Sequence, residues 1–140
     1  MIVLDSNVVS ALMSPEGTRP LLPWMETIAR YDIYTTTVTR AEVRYGIARL
    51  PPGKRRTRLE QAADDVFVEV ADRMLAFDSA AADRFGALVA ERERAGHPIS
   101  VPDAQIASIA FVHHAAVATP DSSGFANCGV PVIDPFTVVP

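Results

Sequence analysis

The chain has a single cysteine, Cys128. An internal disulfide is therefore excluded, and zinc-finger ligand spacing is absent. That suits a reducing compartment. No apolar run approaches the ~18 residues that a spanning helix needs, so no membrane partner is expected. The opening Met1-Ile2-Val3-Leu4-Asp5 meets an acid at once and has no basic leader, so it does not read as a signal peptide. The expected location is cytoplasmic. Histidine is scarce, at three residues. The pair His113-His114 has no companion at metal-ligand spacing and fits the end of a helix, where the dipole favours it. No internal repeat, low-complexity tract or composition break appears, so residues 1–140 read as a single domain.

The formal net charge of −4 argues against a general nucleic-acid binder, but it averages over a split. Residues 40–58 hold seven basic groups (Arg40, Arg44, Arg49, Lys54, Arg55, Arg56 and Arg58) and one acid, Glu42, a net of +6 that leaves −10 for the rest. A basic stripe beside an acidic remainder suits a protein that gathers acids for one purpose and keeps a separate anion-facing side. A solvated helix face would look the same.

Short apolar, β-rich runs alternate with helical stretches. Strands are expected at Met1–Asp5, Asp32–Thr37, Met74–Phe77 and Ala115–Thr119, with a short fifth at Val130–Ile133 near an edge. Helices are expected from Ser6, over Thr18–Arg30, over Thr39–Leu50 up to the Pro51-Pro52-Gly53 break, over 54–65, over Ser79–Ala95 and over Ser100–His113. Residues 66–70 fit either class. Strands separated by helices imply βαβ units: an α/β fold of three layers, α/β/α, around a mostly parallel sheet of four to five strands.

In such sheets ligands sit beyond the carboxyl ends of the strands. Asp5, Asp78 and Asp121 lie there, and Glu42 and Asp103 lie in first turns of helices. Each has a structural explanation. Asp5 caps a helix, Thr39–Glu42 matches a capping box, Asp103 meets a helix dipole, and Asp121 follows Pro120 in a turn. Collectively, Asp5, Glu42, Asp103 and Asp121 at one sheet edge would repel one another unless a cation lay between them. Mg²⁺, or Mn²⁺, prefers hard oxygen ligands and would support hydrolysis of a phosphodiester. Asp5-Ser6-Asn7 lacks the second acid of a D-x-D phosphotransferase, which disfavours that class. Trp24, with Leu21, Leu22, Met25 and Ile28, fits either a core face or an apolar groove for a partner helix.

The motifs carry a family resemblance over the whole length. Ile2-Val3-Leu4-Asp5-Ser6-Asn7 resembles an apolar strand followed by D-[ST]-N. Ala41-Glu42-Val43-Arg44-Tyr45-Gly46 resembles A-E-hydrophobic-x-x-G. Asp103-Ala104-Gln105-Ile106-Ala107-Ser108-Ile109-Ala110 resembles D-x-x-I-A-A-x-A. Thr119-Pro120-Asp121 with Phe125, and then Ile133-Asp134-Pro135, are similar to A-T-R-[ND]-x-x-x-F and the closing hydrophobic-x-[ND]-P. This set is similar to the PIN-domain ribonucleases of the VapC type, in the FitB-like subgroup, which act as toxins of type II toxin–antitoxin pairs. The resemblance implies a PIN-like fold and Mg²⁺-dependent endoribonuclease activity. Asp5, Glu42, Asp103 and Asp121 would be both metal ligands and catalytic residues, with Ser6, Asn7 and Thr119 supporting them. It further implies a VapB-like antitoxin, an RNA substrate, a homodimer and a higher assembly with the antitoxin. Contacts would come from Leu21–Ile28 or the Pro51-Pro52-Gly53 hairpin. Arg44, Lys54, Arg55, Arg56 and Arg58 are the candidate RNA contacts. Two positions depart from the family: Pro120 stands where an Arg is usual, and Gly124 where an acid is common. The alternative is therefore a catalytically impaired PIN-like module that binds RNA or a partner.

Overall fold

The computed structural model describes residues 1–138. Five strands form one sheet in the order β3-β2-β1-β4-β5: β1 (Ile2–Leu4), β2 (Ile33–Thr36), β3 (Met74–Leu75), β4 (Ala116–Ala118) and β5 (Val132–Ile133). Every pairing is parallel, with Ile2 opposite both Ile33 and Ala116, Thr35 opposite Met74, and Val117 opposite Val132. The helices are α1 (Ser6–Leu12), α2 (Pro15–Thr18), α3 (Leu22–Met25), α4 (Thr37–Ala48), α5 (Lys54–Glu69), α6 (Ser79–Arg94) and α7 (Val101–Val112).

Strand side chains alternate between faces, and the two faces build two cores. Val3 and Val117 pack with Leu88 of α6 and with Ile106, Ala107 and Ala110 of α7. Their neighbours Leu4 and Ala118 turn the other way, to Val8, Val9, Trp24, Val43, Ile47 and Phe67. With both faces covered, the strands read as continuous apolar runs.

Four expectations change in detail. The helix expected over Thr18–Arg30 is not continuous: Thr18 ends α2, a 3₁₀ turn covers Arg19–Leu21, α3 stops at Met25, and a second 3₁₀ turn begins at Arg30. Pro20 and Pro23 each lack the N–H that an uninterrupted helix needs, and each sits in the first turn of a new segment, where none is required. Trp24 and Leu21 are core residues at 4% and 0% exposure, which leaves Leu22 as the exposed member of that stretch. Residues 66–69 continue α5, so that helix runs beyond 65. Helix α4 begins at Thr37 rather than Thr39, because the Thr36 hydroxyl accepts from the Thr39 N–H at 3.0 Å.

Buried polar groups fasten the layers. The Leu4 carbonyl accepts from Thr35 Oγ1 at 3.2 Å and from Thr39 Oγ1 at 3.4 Å, which ties β2 and α4 to the end of β1. Arg73 donates to the carbonyls of Arg30, Ile33 and Glu69, joining the end of α5 to the start of β2.

Candidate active site

β1 and β4 are neighbours, and the chain leaves them in opposite directions across the sheet. A crevice at such a reversal is where parallel sheets take ligands. Asp5 follows β1 directly, and its N–H donates to the Ala118 carbonyl at 3.2 Å. Its carboxylate caps α1, accepting from the Val8 N–H at 3.0 Å and from Asn7 Nδ2 at 3.4 Å. The capping role is thus real, and it fixes the side chain. Asp5 is only 3% exposed. Burial raises its pKa above the usual carboxylate range, hydrogen bonds from Thr119, Val8 and Asn7 oppose the rise, and the charge of Asp103 adds to it.

Glu42 comes from the second turn of α4. Because Thr36 caps that helix, the capping box expected at Thr39–Glu42 does not form, and the Glu42 carboxylate accepts from Ser6 Oγ at 3.2 Å instead. Its pKa is raised by burial first, then by Asp103 and Asp5, against the Ser6 hydrogen bond. Asp103 lies in the first turn of α7, whose cap is Ser100; the Ser100 hydroxyl accepts from the Asp103 N–H at 3.3 Å. Burial raises the Asp103 pKa, the Ser100 hydrogen bond lowers it, and the charge of Asp121 raises it. Asp5 and Glu42 thus feel each other and Asp103, and Asp121 reaches Asp103 alone, the four coming from four separate segments.

Asp121 is the outlying member. It is exposed, and its Oδ1 accepts from Ser123 Oγ and the Gly124 N–H, both at 3.1 Å. Its own N–H donates to Thr119 Oγ1 at 3.0 Å. The Thr119 side chain thus meets both the Asp121 backbone N–H and the Asp5 carboxylate. At Gly124 a Cβ would lie 2.5 Å from Asp121 Oδ2, so the small residue gives the carboxylate its place. Asp78, also at a strand end, only caps α6 through the Ala81 N–H.

The donor set consists of hard carboxylate oxygens, suited to Mg²⁺ or Mn²⁺ rather than to soft metals. Among the described residues no three His, Cys, Asp or Glu side chains close around a single point. A site without a closed cage of side chains suits an ion that keeps much of its water. His113 ends α7 and His114 takes a left-handed turn with φ 55°, so neither joins the acids.

The basic stripe divides. Arg44 pairs with Asp64 at 2.7 Å and Arg56 with Glu60 at 3.0 Å. Arg40 lies over the Phe67 ring and Arg49 over Tyr45. Lys54, Arg55 and Arg58 form no ion pair with any described residue.

One contributor escaped the sequence reading. Arg92 of α6 is buried and donates to the carbonyls of His97, Gly124 and Ala126, holding the loop that follows Asp121. Its signal was a cation on the buried face shared with Ala81 and Leu88.

Comparison with known proteins agrees with this architecture. A family model described as PIN domain matches residues 2–129. The VapC ribonuclease Y4jK of Sinorhizobium fredii is 37% identical over 137 residues, covering 97% of this chain and 98% of the relative. Toxin FitB of Neisseria gonorrhoeae is 33% identical over 140 residues, covering 97% and 99%. A solved structure of FitAB bound to the IR36 DNA fragment superposes with a TM-score of 0.88 at 30% identity, covering 100% of this chain and 99% of that one. With the parallel sheet, the four acids beyond its strand ends and these relatives in agreement, the chain belongs to the PIN-domain family.

Proposed function

We propose that the chain is a divalent-metal-dependent endoribonuclease that serves as the toxin of a toxin–antitoxin pair. One observation carries the reading. Four carboxylates from four segments share one end of the sheet, where burial and mutual repulsion raise the pKa of Asp5, Glu42 and Asp103. A fold that needed only helix caps would have no reason to collect them, since uncompensated like charges are costly.

Asp5, Glu42 and Asp103 would hold Mg²⁺ or Mn²⁺, with Asp121 as the fourth, outlying acid. When bound, the ion supplies an activated water and charge for the leaving oxygen of a phosphodiester. The chain's own part is positioning. Ser6 orients Glu42, while Asn7 and the Val8 N–H orient Asp5. Thr119 links Asp5 to the Asp121 backbone. Lys54, Arg55 and Arg58 supply free cations for RNA phosphates; Arg44 and Arg56 would first have to leave their carboxylate partners. The relative FitB is a toxin and was solved as FitAB on DNA. By that likeness we assign this chain a VapB-like antitoxin, a homodimer and a larger assembly of the two.

The test is cleavage of single-stranded RNA with Mg²⁺, Mn²⁺ or EDTA, by the parent and by Asp103→Asn, with a melting curve for each. Cleavage should need the metal and should vanish in the variant, while the melting temperature stays equal or rises as repulsion eases. Full activity in Asp103→Asn would return that residue to helix-end duty and remove the nuclease reading. The second reading, an impaired binding module, draws on Pro120, which puts neither a cation nor a backbone N–H beside Asp121. RNA binding by the parent without cleavage under any metal would favour it.

A further inference from the structure

Between α1, α4 and α5 lies a groove of about 410 Å³ that begins at Glu42. Ser6, Asn7 and Glu42 stand at the active-site end. From Glu42 to its end at Ala48, α4 runs about 9 Å along it, and Leu50 follows just beyond. Arg56 of α5 reaches the Leu50 carbonyl at 3.4 Å, so the start of α5 meets α4 at the opposite end. Arg55 lines the groove there, and Met13, Leu50 and Leu59 give it apolar walls. Arg55 has no hydrogen bond or ion pair among the described residues.

Gly46 is the second observation. It occupies the middle of α4, where glycine weakens a helix relative to alanine. Its backbone is helical and needs no positive φ. A Cβ there would meet no heavy atom within 4 Å. Neither packing nor conformation calls for glycine at this position. What it does is leave the groove wall bare one helical turn beyond Glu42.

We propose that this groove seats the nucleotide adjoining the scissile phosphate, its nucleoside against Met13, Leu50 and Leu59 and its next phosphate on Arg55. The proposal rests on the nuclease reading above. A single-stranded RNA fits because it offers phosphates at both ends of an apolar unit. The groove has matching chemistry, with Glu42, one of the acids proposed to hold the cation, at one end and the Arg55 guanidinium at the other.

The experiment measures binding of a mixed-sequence single-stranded oligoribonucleotide by fluorescence anisotropy. Asp103→Asn serves as background so that the RNA stays intact, and Gly46→Leu, Gly46→Ala or Arg55→Gln is added to it. Cleavage by the same three changes in the otherwise native chain, and melting curves, are recorded in parallel. Gly46→Leu should melt no lower than its background and bind RNA about tenfold more weakly, the scale of one lost base contact. Gly46→Ala, which guards against misfolding of the larger variant, should show a smaller loss in the same direction. Arg55→Gln should weaken binding and reduce the salt slope by about one phosphate contact. Unchanged RNA affinity in Gly46→Leu and Arg55→Gln, with cleavage by the native chain intact, overturns the groove and leaves the nuclease standing. Binding that responds as expected in a chain that never cuts supports the groove as an RNA seat and overturns the nuclease reading. A native chain that neither binds nor cuts RNA overturns both.

Discussion

Arg92 is 8% exposed, and its guanidinium directs its donors to three carbonyls of the segment 97–126. Replacing it with Leu leaves those carbonyls without their donor in a nearly dry site. A loss of about 2–4 kcal/mol is expected, from the cost of buried unsatisfied groups, and urea unfolding measures it. Lys, with a single charged nitrogen, cannot reproduce the fork and should rescue only part. The neighbouring Cys128 is fully buried, and burial raises its thiol pKa against the pull of Arg92 and Arg84. It should therefore stay unmodified by a thiol reagent in the folded chain and react once the chain is unfolded. Gly124 makes a sharper case. Gly124→Ala would drive its Cβ into the Asp121 carboxylate. Asp121 is exposed, so it can swing away at little cost in stability, and RNA cleavage should drop while the melting temperature barely moves. A large fall in melting temperature would show instead that the loop cannot adjust.

At the scale of elements, α4 depends on the side chain that precedes it. Thr36 accepts from the Thr39 N–H, donates to Thr39 Oγ1 at 3.2 Å, and is fully buried. Thr36→Val keeps the shape and removes the cap. It should cost about 1–2 kcal/mol and also lower cleavage, since α4 carries Glu42; thermal melts and activity assays check the two effects separately. That cap also shows where sequence reading stopped. Thr36, Thr37 and Thr39 are all competent caps, and choosing among them requires knowing that Thr39 is held by the Leu4 carbonyl on another strand. The strands were legible because a sheet covered on both faces needs unbroken apolar runs such as Ile2-Val3-Leu4. The break at Pro20 and Pro23 was equally visible in the letters. It is masked because Leu21, Met25 and Ile28 keep a helical period across it. The four acids were legible as strand-end and helix-start residues. Whether Asp121 sits with the other three is decided by its contacts with Ser123 and Gly124, which no spacing reveals. The groove wall at Gly46 was not legible at all, since a helical glycine shows its purpose only once its neighbours are known to be absent.

For the whole molecule, the crossing at β1 and β4 concentrates negative charge at one end of the sheet, and that concentration couples the acids to global stability. The folded-state pKa of Asp5, Glu42 and Asp103 lies above the ordinary carboxylate value that holds in the unfolded chain. Between those two values the native state holds more protons than the unfolded one. Linkage then makes these groups' contribution to stability fall as pH rises through that window. Below the window they are neutral in both states and cost nothing; above it the repulsion is present in full. Asp5→Asn removes one such group yet keeps the cap on α1, because Asn accepts from the Val8 N–H about as well as Asp does. The difference in unfolding free energy between Asp5→Asn and the parent should therefore be smallest at low pH. It should grow in the variant's favour as pH rises through the window, then level off. Urea titrations of both proteins in EDTA across that range measure the difference directly. Adding Mg²⁺ above the window should reverse the ranking, since a ligand bound only by the native state stabilises the chain that binds it more tightly. A variant–parent difference that does not change with pH would mean that Asp5 is only a helix cap, and an unchanged ranking in Mg²⁺ would mean that the acids do not hold the ion together.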